Sequence, residues 1–396
     1  MKQKLRLTKK GGADLYSDIG RRMMEIRPFQ VEEWMNSEEE KAKYNIAETC
    51  VDSVSLDELF VITGEDKEKF FSSFSSRRLT YGHIKGSHEL LSGIASLYEG
   101  MNESDVITTH GAAGANYHAF LSLVSPGDEV VSVMPTYQQL YSIPEALGAK
   151  VKILRLRKEN GYLPDLNELE SLVSEKTKVI AINNPNNPTG ALMDEDMLGK
   201  IIEIARKNDS YILSDEVYRH LTQEDGYSKS IADMYEKGVS TGSMSKVFSL
   251  AGIRMGWIAT KNEEAKKEML SERDYNLISS GMFDDEVASL ALRHKEKVLE
   301  RSLKIVRTNL EILDKWIKST EGFNYVKPKA GTTALVHYSF DIPSYEFCRK
   351  LLEKTGALVT PGDAFGEENA FRIGYACDKK SLEEGLKALS EFSQEL

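Results

Sequence analysis

Ser243-Met244-Ser245-Lys246-Val247-Phe248-Ser249-Leu250-Ala251-Gly252-Ile253-Arg254-Met255-Gly256-Trp257 sets one amine among small residues and hydroxyls, with a guanidinium close behind it. A lysine whose pKa is lowered by nearby positive charge and partial burial is a nucleophile toward an aldehyde. Ser243, Ser245 and Arg254 are the donors that a phosphate requires. Val239–Ser243 leads into this stretch and Trp257–Thr260 leaves it; both read as short strands. Working outward, Tyr211–Ser214, Lys178–Asn183, Val151–Leu156, Glu129–Met134 and Asp105–Thr109 read the same way. Periodic segments such as Tyr117–Leu123 and Asp196–Arg206 lie between them and predict helices. This alternation predicts an α/β protein: a three-layer α/β/α large domain with a mostly parallel sheet, plus a smaller α+β domain. Ligands of such sheets bind outside the carboxyl ends of the strands, where the chemically loaded segments fall.

Thr109-His110-Gly111-Ala112-Ala113-Gly114-Ala115-Asn116 follows a strand and opens a helix. Gly111, Ala112 and Ala113 are small enough to let backbone N–H groups approach a phosphate at the positive end of a helix. The spacing fits neither the dinucleotide nor the P-loop fingerprint, and such turns also occur without a ligand. After Pro135-Thr136, Tyr137 either stacks on an aromatic ring or packs the strand end. In Asn183-Asn184-Pro185-Asn186-Asn187-Pro188-Thr189-Gly190 the prolines impose a rigid non-helical loop. That loop holds out the Asn187 amide, suited to donate to a phenolate oxygen. Ser214-Asp215-Glu216-Val217-Tyr218 leaves a carboxylate at the end of an apolar strand, which is costly unless paired. Asp215 either meets a protonated ring nitrogen, with Tyr218 reaching the same ring, or caps the next helix. Arg372, inside the apolar run Ala370–Gly374, calls for a carboxylate, either a bidentate ligand or a surface ion-pair partner. An amine for an aldehyde, donors for a phosphate, and a stacker, amide and carboxylate for a pyridine ring together describe pyridoxal 5′-phosphate (PLP).

In this order the segments resemble the class I/II aminotransferases of the PLP-dependent fold-type I superfamily, from about residue 28 to residue 396. Asn187-Pro188-Thr189-Gly190, Ser214–Tyr218 and Ser243-x-Ser245-Lys246 with its distal Arg254 carry the resemblance. It implies PLP as cofactor, Lys246 as Schiff-base lysine and proton shuttle, and Asp215 on the pyridinium. Asn187 and Tyr218 would hold the ring oxygen and Tyr137 the ring face. Gly111, Ala112, Ala113, Ser243, Ser245 and Arg254 would cradle the phosphate, and Arg372 the substrate α-carboxylate. Tyr81 resembles the tyrosine that reaches the phosphate of the neighbouring subunit, which implies a homodimer. The implied reaction moves an amino group from an L-amino acid to a 2-oxo acid.

The family commonly carries a glycine-containing stretch ending in Pro-Asp-Phe that closes over substrate. This chain instead has Ile46-Ala47-Glu48-Thr49-Cys50-Val51-Asp52-Ser53. Glu48 points to a cationic or polar substrate, or is a solvated or capping residue. This start, Ser243–Gly252 and Arg273-Asp274-Tyr275 are also similar to the capreomycidine synthases, which use PLP for an intramolecular replacement on an arginine derivative. A β-elimination or replacement enzyme, lyase or cyclase, is therefore the alternative. A serine-acylation site fares worse: Ser243-x-x-Lys246 and Lys354-Thr355-Gly356 fit two of its motifs, but no Ser-Asp-Asn exists. A purely regulatory or binding protein would not need every chemical position filled.

The 396 residues exceed the ~250–300 at which a single core stops growing. The expected organisation is a flexible extension over residues 1–22, a segment 23–74 joining the small domain, a large PLP-binding domain over 75–275 and a small domain over 276–396. Met23 or Met24 is an alternative start. Residues 262–320 read as one long helix or a helix pair. They are followed by a strand at Ala330–Tyr338, a helix at Ser344–Lys354, a strand at Ala357–Thr360 and a terminal helix at Lys380–Leu396. A formal net charge of −11 argues against nucleic acid. No apolar run approaches the ~20 residues of a membrane span, and the basic start lacks a secretory h-region. Three scattered cysteines suit a reducing compartment, so a cytoplasmic protein is expected. The seven histidines form no ligand triad, and no metal is expected.

Overall fold

The computed structural model describes residues 25–396. The extension expected over residues 1–22 and the alternative starts at Met23 and Met24 lie outside the described residues.

The short β1 (Tyr44–Asn45) pairs with a strand from late in the chain. Seven strands then form the large sheet: β2 (Val106–His110), β3 (Glu129–Met134), β4 (Lys150–Arg155), β5 (Thr177–Asn183), β6 (Tyr211–Asp215), β7 (Gly238–Ser243) and β8 (Met255–Ala259). Their spatial order is β2-β8-β7-β6-β5-β3-β4. Only β8 runs against its neighbours, pairing antiparallel with both β2 and β7. This single reversal matters for chemistry. It returns the chain to the edge where β7 ends, setting Gly256 opposite Ser243 and Met255 opposite His110.

Alternate residues of the central strands face different layers, as the period of two requires. Val131, Val133, Ile180, Ile182 and Ile212 pack with Leu198, Ile201 and Ala205 of the helix Glu195–Lys207. Val130, Val179, Ala181 and Leu213 pack with Ala115, Ala119 and Phe120 of the helix Gly111–Leu123. The first of these helices starts where the Asp194 carboxylate accepts from the Met197 N–H, and it ends on Arg206 and Lys207.

The second sheet contains β9 (Phe323–Tyr325), β10 (Thr333–Tyr338), β12 (Thr360–Pro361) and β13 (Ala370–Gly374), in the order β12-β13-β10-β9, while β11 (Ala357–Leu358) pairs parallel with β1. Phe347 stacks on Tyr338 and Phe371 at ring distances of 4.5 and 5.5 Å, sealing this sheet against the helix Ser344–Thr355.

Two expectations need correction. Residues 262–320 form three helices, Glu263–Arg273, Met282–Arg293 and Lys295–Ser319. The first stops because the buried Arg273 guanidinium draws the chain around itself, donating to the carbonyls of Thr108, Ile278 and Ile84 at 2.9, 3.1 and 2.7 Å. The strand expected at Ala357–Thr360 is broken between β11 and β12, and the Val359 carbonyl there accepts from the Trp34 indole at 2.9 Å.

The segment after β1 lies directly on β13, where the Gly374 N–H donates to the Ile46 carbonyl at 2.8 Å. A Cβ built on Gly374 would stand 1.7 Å from the Glu48 carbonyl oxygen. Gly374→Ala is expected to lower stability by about 1–3 kcal/mol through forced separation of these backbones. Urea unfolding measures this, and an unchanged midpoint would contradict it.

Candidate active site

The ends of β5, β6 and β7, the first turn of the helix Gly111–Leu123, the segment 47–50, the helix Gln30–Glu38 and β13 surround a cavity of about 320 Å³. Of the residues expected from sequence, Glu48, Ala112, Ala113, Tyr137, Asn187, Asp215, Tyr218, Ser243, Ser245, Lys246, Arg254 and Arg372 line it. Gly111 stands just behind, its N–H donating to the Arg254 carbonyl at 2.9 Å. Tyr81 is not brought to this cavity; it stands at the surface, 65% exposed.

Asp215 ends β6 with only 3% of its surface exposed. Its Oδ2 accepts from Asn116 Nδ2 at 2.8 Å and its Oδ1 from the Val217 N–H at 3.3 Å, both uncharged donors. Burial pushes the carboxyl pKa up, and these hydrogen bonds together with the Lys246 charge work against that rise. Asn116 is fully buried and is itself fixed by the Thr241 hydroxyl on its Oδ1 at 2.7 Å. No role was foreseen for Asn116. The signal was an amide in the apolar, core-facing part of the helix that opens at Gly111.

At the opposite end, Arg254 occupies the left-handed region (φ 47°). Its Nη1 reaches the Ala251 carbonyl at 2.9 Å and Ser245 Oγ at 3.5 Å, while Ser243 Oγ accepts from the Ser245 N–H at 3.3 Å. A Cβ on Gly111 would lie 2.7 Å from Arg254 Nη2, so any side chain there would fill the cradle.

Lys246 corrects an expectation. Its Nζ donates to Thr49 Oγ1 at 2.6 Å and lies 3.5 Å from Cys50 Sγ. Burial lowers its pKa, but Cys50, Tyr218 and Glu48 outweigh burial and carry it above the usual lysine value. Arg254 is not among these neighbours, so the lowering foreseen from a nearby guanidinium does not occur. Burial also pushes the Cys50 thiol up to about 11 and the Tyr218 phenol above its ordinary value, so both keep their protons at neutral pH. Glu48 is thus the charge beside the amine. Burial raises its pKa, but Lys246 and the Cys50 and Thr49 N–H groups on Oε1, at 3.0 and 2.8 Å, bring it below the usual carboxylate range. Thr49 and Cys50 had no foreseen role either.

Of the four loop asparagines, three spend their amides on backbone: Asn183 on Asp215, Asn184 on Met193 and Asn186 on Pro135, at 2.8, 3.0 and 3.2 Å. Asn187 differs. Its Oδ1 accepts from Arg372 Nη1 at 3.3 Å, which turns its amide nitrogen toward other partners. Arg372 is 3% exposed; its Nη2 donates to the Ala47 carbonyl and Thr360 Oγ1, each at 3.1 Å, and its Nε is buried without an acceptor. Tyr137 donates to Glu32 Oε1 at 3.0 Å, with its ring tilted against Phe29.

A buried carboxylate held by neutral donors, a cradle bounded by Gly111 and Arg254, and an amine between them fit the ring nitrogen, phosphate and aldehyde of PLP. The profile of the family "Aminotransferase class I and II" matches residues 63–389, and the chain belongs to that family. It is a PLP-dependent enzyme of fold type I. It is similar to capreomycidine synthase from Streptomyces vinaceus, 29% identical over 91% of this chain and 92% of that protein. Aspartate aminotransferase from Pyrococcus horikoshii is 34% identical over 72% of this chain and 75% of its own length. A solved PLP-dependent aminotransferase from Streptococcus suis superposes with a TM-score of 0.91 at 42% identity, covering 94% of this chain and 98% of that one. Among the described residues, no helix is long and apolar enough to cross a membrane, and no group of His, Cys, Asp or Glu is arranged for a metal ion.

Asn116→Ala strips Asp215 of its amide donor, and the PLP dissociation constant is expected to rise roughly 10- to 100-fold in a spectral titration; an unchanged constant would contradict the arrangement. The Glu48–Lys246 pair sets a pH window in the cofactor-free protein. A lowered Glu48 pKa contributes stability above its unfolded value of about 4.3, lost as pH falls through the folded value. The raised Lys246 pKa contributes below about 10.4 and is lost as pH rises through its folded value. Glu48→Gln should therefore cost about 1–2 kcal/mol near neutrality. The gap to the unmodified protein should close in acid, as denaturation at several pH values would reveal.

Proposed function

We propose that this chain is an aminotransferase that moves the amino group of an L-amino acid to a 2-oxo acid. What carries the reading is one cavity holding both the Lys246 amine and the buried Arg372 guanidinium with its unpartnered Nε. An amino acid brings the carboxylate that Arg372 lacks, and bidentate pairing would place the Cα on the Lys246 side of the site.

PLP supplies an aldehyde that takes up an amino group and a protonated ring that draws electrons from Cα. The remaining work belongs to the chain. Lys246 would hold the aldehyde and, as a free amine, would accept and hand on the proton of substrate Cα. Thr49 gives the amine a resting partner. Asp215, positioned by Asn116, keeps the proton on the ring nitrogen. Asn187 and Tyr218 donate to the ring oxygen, and Tyr137 covers the ring face. The N–H groups at Ala112 and Ala113, with Ser243, Ser245 and Arg254, would hold the phosphate, while the Gly111 N–H, spent on the Arg254 carbonyl, would leave Gly111 only the role of keeping the cradle open. Glu48 stands beside the reacting amine and lines the substrate side.

We read residues 75–275 as the cofactor-binding domain and 276–396 as the small domain, which the segment up to residue 74 joins. A homodimer is part of the reading. Leu79, Tyr81, Ile84, Tyr275 and Ile278 leave large apolar surfaces exposed at 83, 65, 48, 89 and 52%, which supports a second copy packing there and its Tyr81 reaching the phosphate. The three cysteines are free and buried, which supports a reducing, cytoplasmic setting.

The similarity to capreomycidine synthase over nearly the whole chain favours a second reading, elimination or replacement at Cβ. A half-reaction screen separates the two. An amino acid should convert the bound cofactor to its amine form, and a 2-oxo acid should restore it. Release of ammonia or a cyclised product without any 2-oxo acid would support the second reading instead. Lys246→Ala should still bind PLP yet lose about 10²–10⁴-fold in Cα proton exchange; exchange at the unmodified rate would remove Lys246 from the mechanism.

A further inference from the structure

On the aminotransferase reading, we propose that the amino donor carries a cationic side chain, a guanidinium or ammonium group, and that Glu32 receives it. The cavity's charges support this once the proposed roles are assigned. Its cations are Lys246, Arg254 and Arg372, taken by the aldehyde, the phosphate and the α-carboxylate. Its anions are Asp215, Glu48, Glu32 and Glu39. Asp215 answers the ring nitrogen, and Glu48 is turned back onto its own backbone N–H groups beside Lys246. Glu32 and Glu39 remain, and among the described residues no lining cation is left for a second substrate carboxylate.

Both sit on one stripe of the helix Gln30–Glu38 and its end, with Met35 between them; Val31 and Trp34 are buried and anchor that helix. Glu32 Oε1 accepts from the Tyr137 hydroxyl at 3.0 Å and Glu39 Oε1 from Asn45 Nδ2 at 3.0 Å. Both partners are neutral, and among the described residues neither carboxylate has a hydrogen bond on its second oxygen. Arg372 lines the same cavity, and its buried Nε has no acceptor, which supports a place there for a carboxylate-bearing ligand. A substrate held there by its α-carboxylate would extend its side chain toward the helix wall. An acidic side chain would meet like charge, while an apolar one would strand two carboxylates against hydrocarbon.

The test uses full-length PLP-loaded enzyme with L-arginine, L-lysine, L-glutamine, L-leucine, L-aspartate and L-glutamate, following cofactor absorbance in the half-reaction. The basic amino acids should exceed the acidic ones in kcat/KM by roughly tenfold or more. Glu32→Gln should lower the value for arginine by roughly tenfold and raise it for aspartate, with Glu39→Gln a milder, surface-tolerated copy of the effect. If aspartate or glutamate reacts best, or leucine and glutamine match arginine, the cationic donor is overturned while the aminotransferase reading stands. If Glu32→Gln slows arginine and aspartate equally, Glu32 loses its role as selector. If no amino acid converts the cofactor, both readings fall together.

Discussion

A carboxylate buried at the end of a parallel strand is the constraint around which this molecule is arranged. Removing Asp215 from water costs several kcal/mol unless a positive partner is supplied. Its protein contacts are an amide and a backbone N–H, which orient it but do not neutralise it. A protonated ring nitrogen opposite it, as proposed for PLP, would meet that deficit and turn the price of burial into binding energy. Asn116 and Thr241 fix the carboxylate's direction, and the antiparallel β8 brings Arg254 back to the same edge, where it is proposed to meet the phosphate.

The second organising element is the segment after β1. Its Ala47 carbonyl accepts from Arg372, its Thr49 hydroxyl from Lys246, and its Thr49 carbonyl from Thr332. One short piece of backbone therefore spans the groups assigned to the substrate carboxylate and to the proton. Glu48, carried on that piece, favours the protonated form of the free amine. In this chain the early segment is part of the site rather than a cover over it.

Much of this was legible in the sequence because chemistry and strand ends coincide. Asp215 ends β6, Asn187 follows β5 and Lys246 follows β7, and a parallel sheet gathers such ends on one edge, where Arg254 leads into the antiparallel β8. Residues whose meaning depends on distant partners were less legible. Asn116 is one amide in a helix until Asp215 is set against it. In the asparagine-rich loop Asn187 alone was assigned to a ligand, and what makes the loop rigid enough to present it are three amides bound to backbone, which sequence could not show. The lowering expected for Lys246 fails because the groups that act most on its amine are Cys50, Tyr218 and Glu48, two of them far away in sequence, and not the Arg254 that follows it closely. The break at Arg273 was hidden for the same reason, since its carbonyl partners at Thr108 and Ile84 come from other elements.

The most direct measurement is borohydride reduction of the PLP-loaded protein followed by peptide mapping. The covalent pyridoxyl label should fall on Lys246 alone, accompanied by loss of the cofactor's visible absorbance. A colourless protein before reduction, or a label on any other lysine, would contradict the central claim that the buried amine at position 246 holds the cofactor.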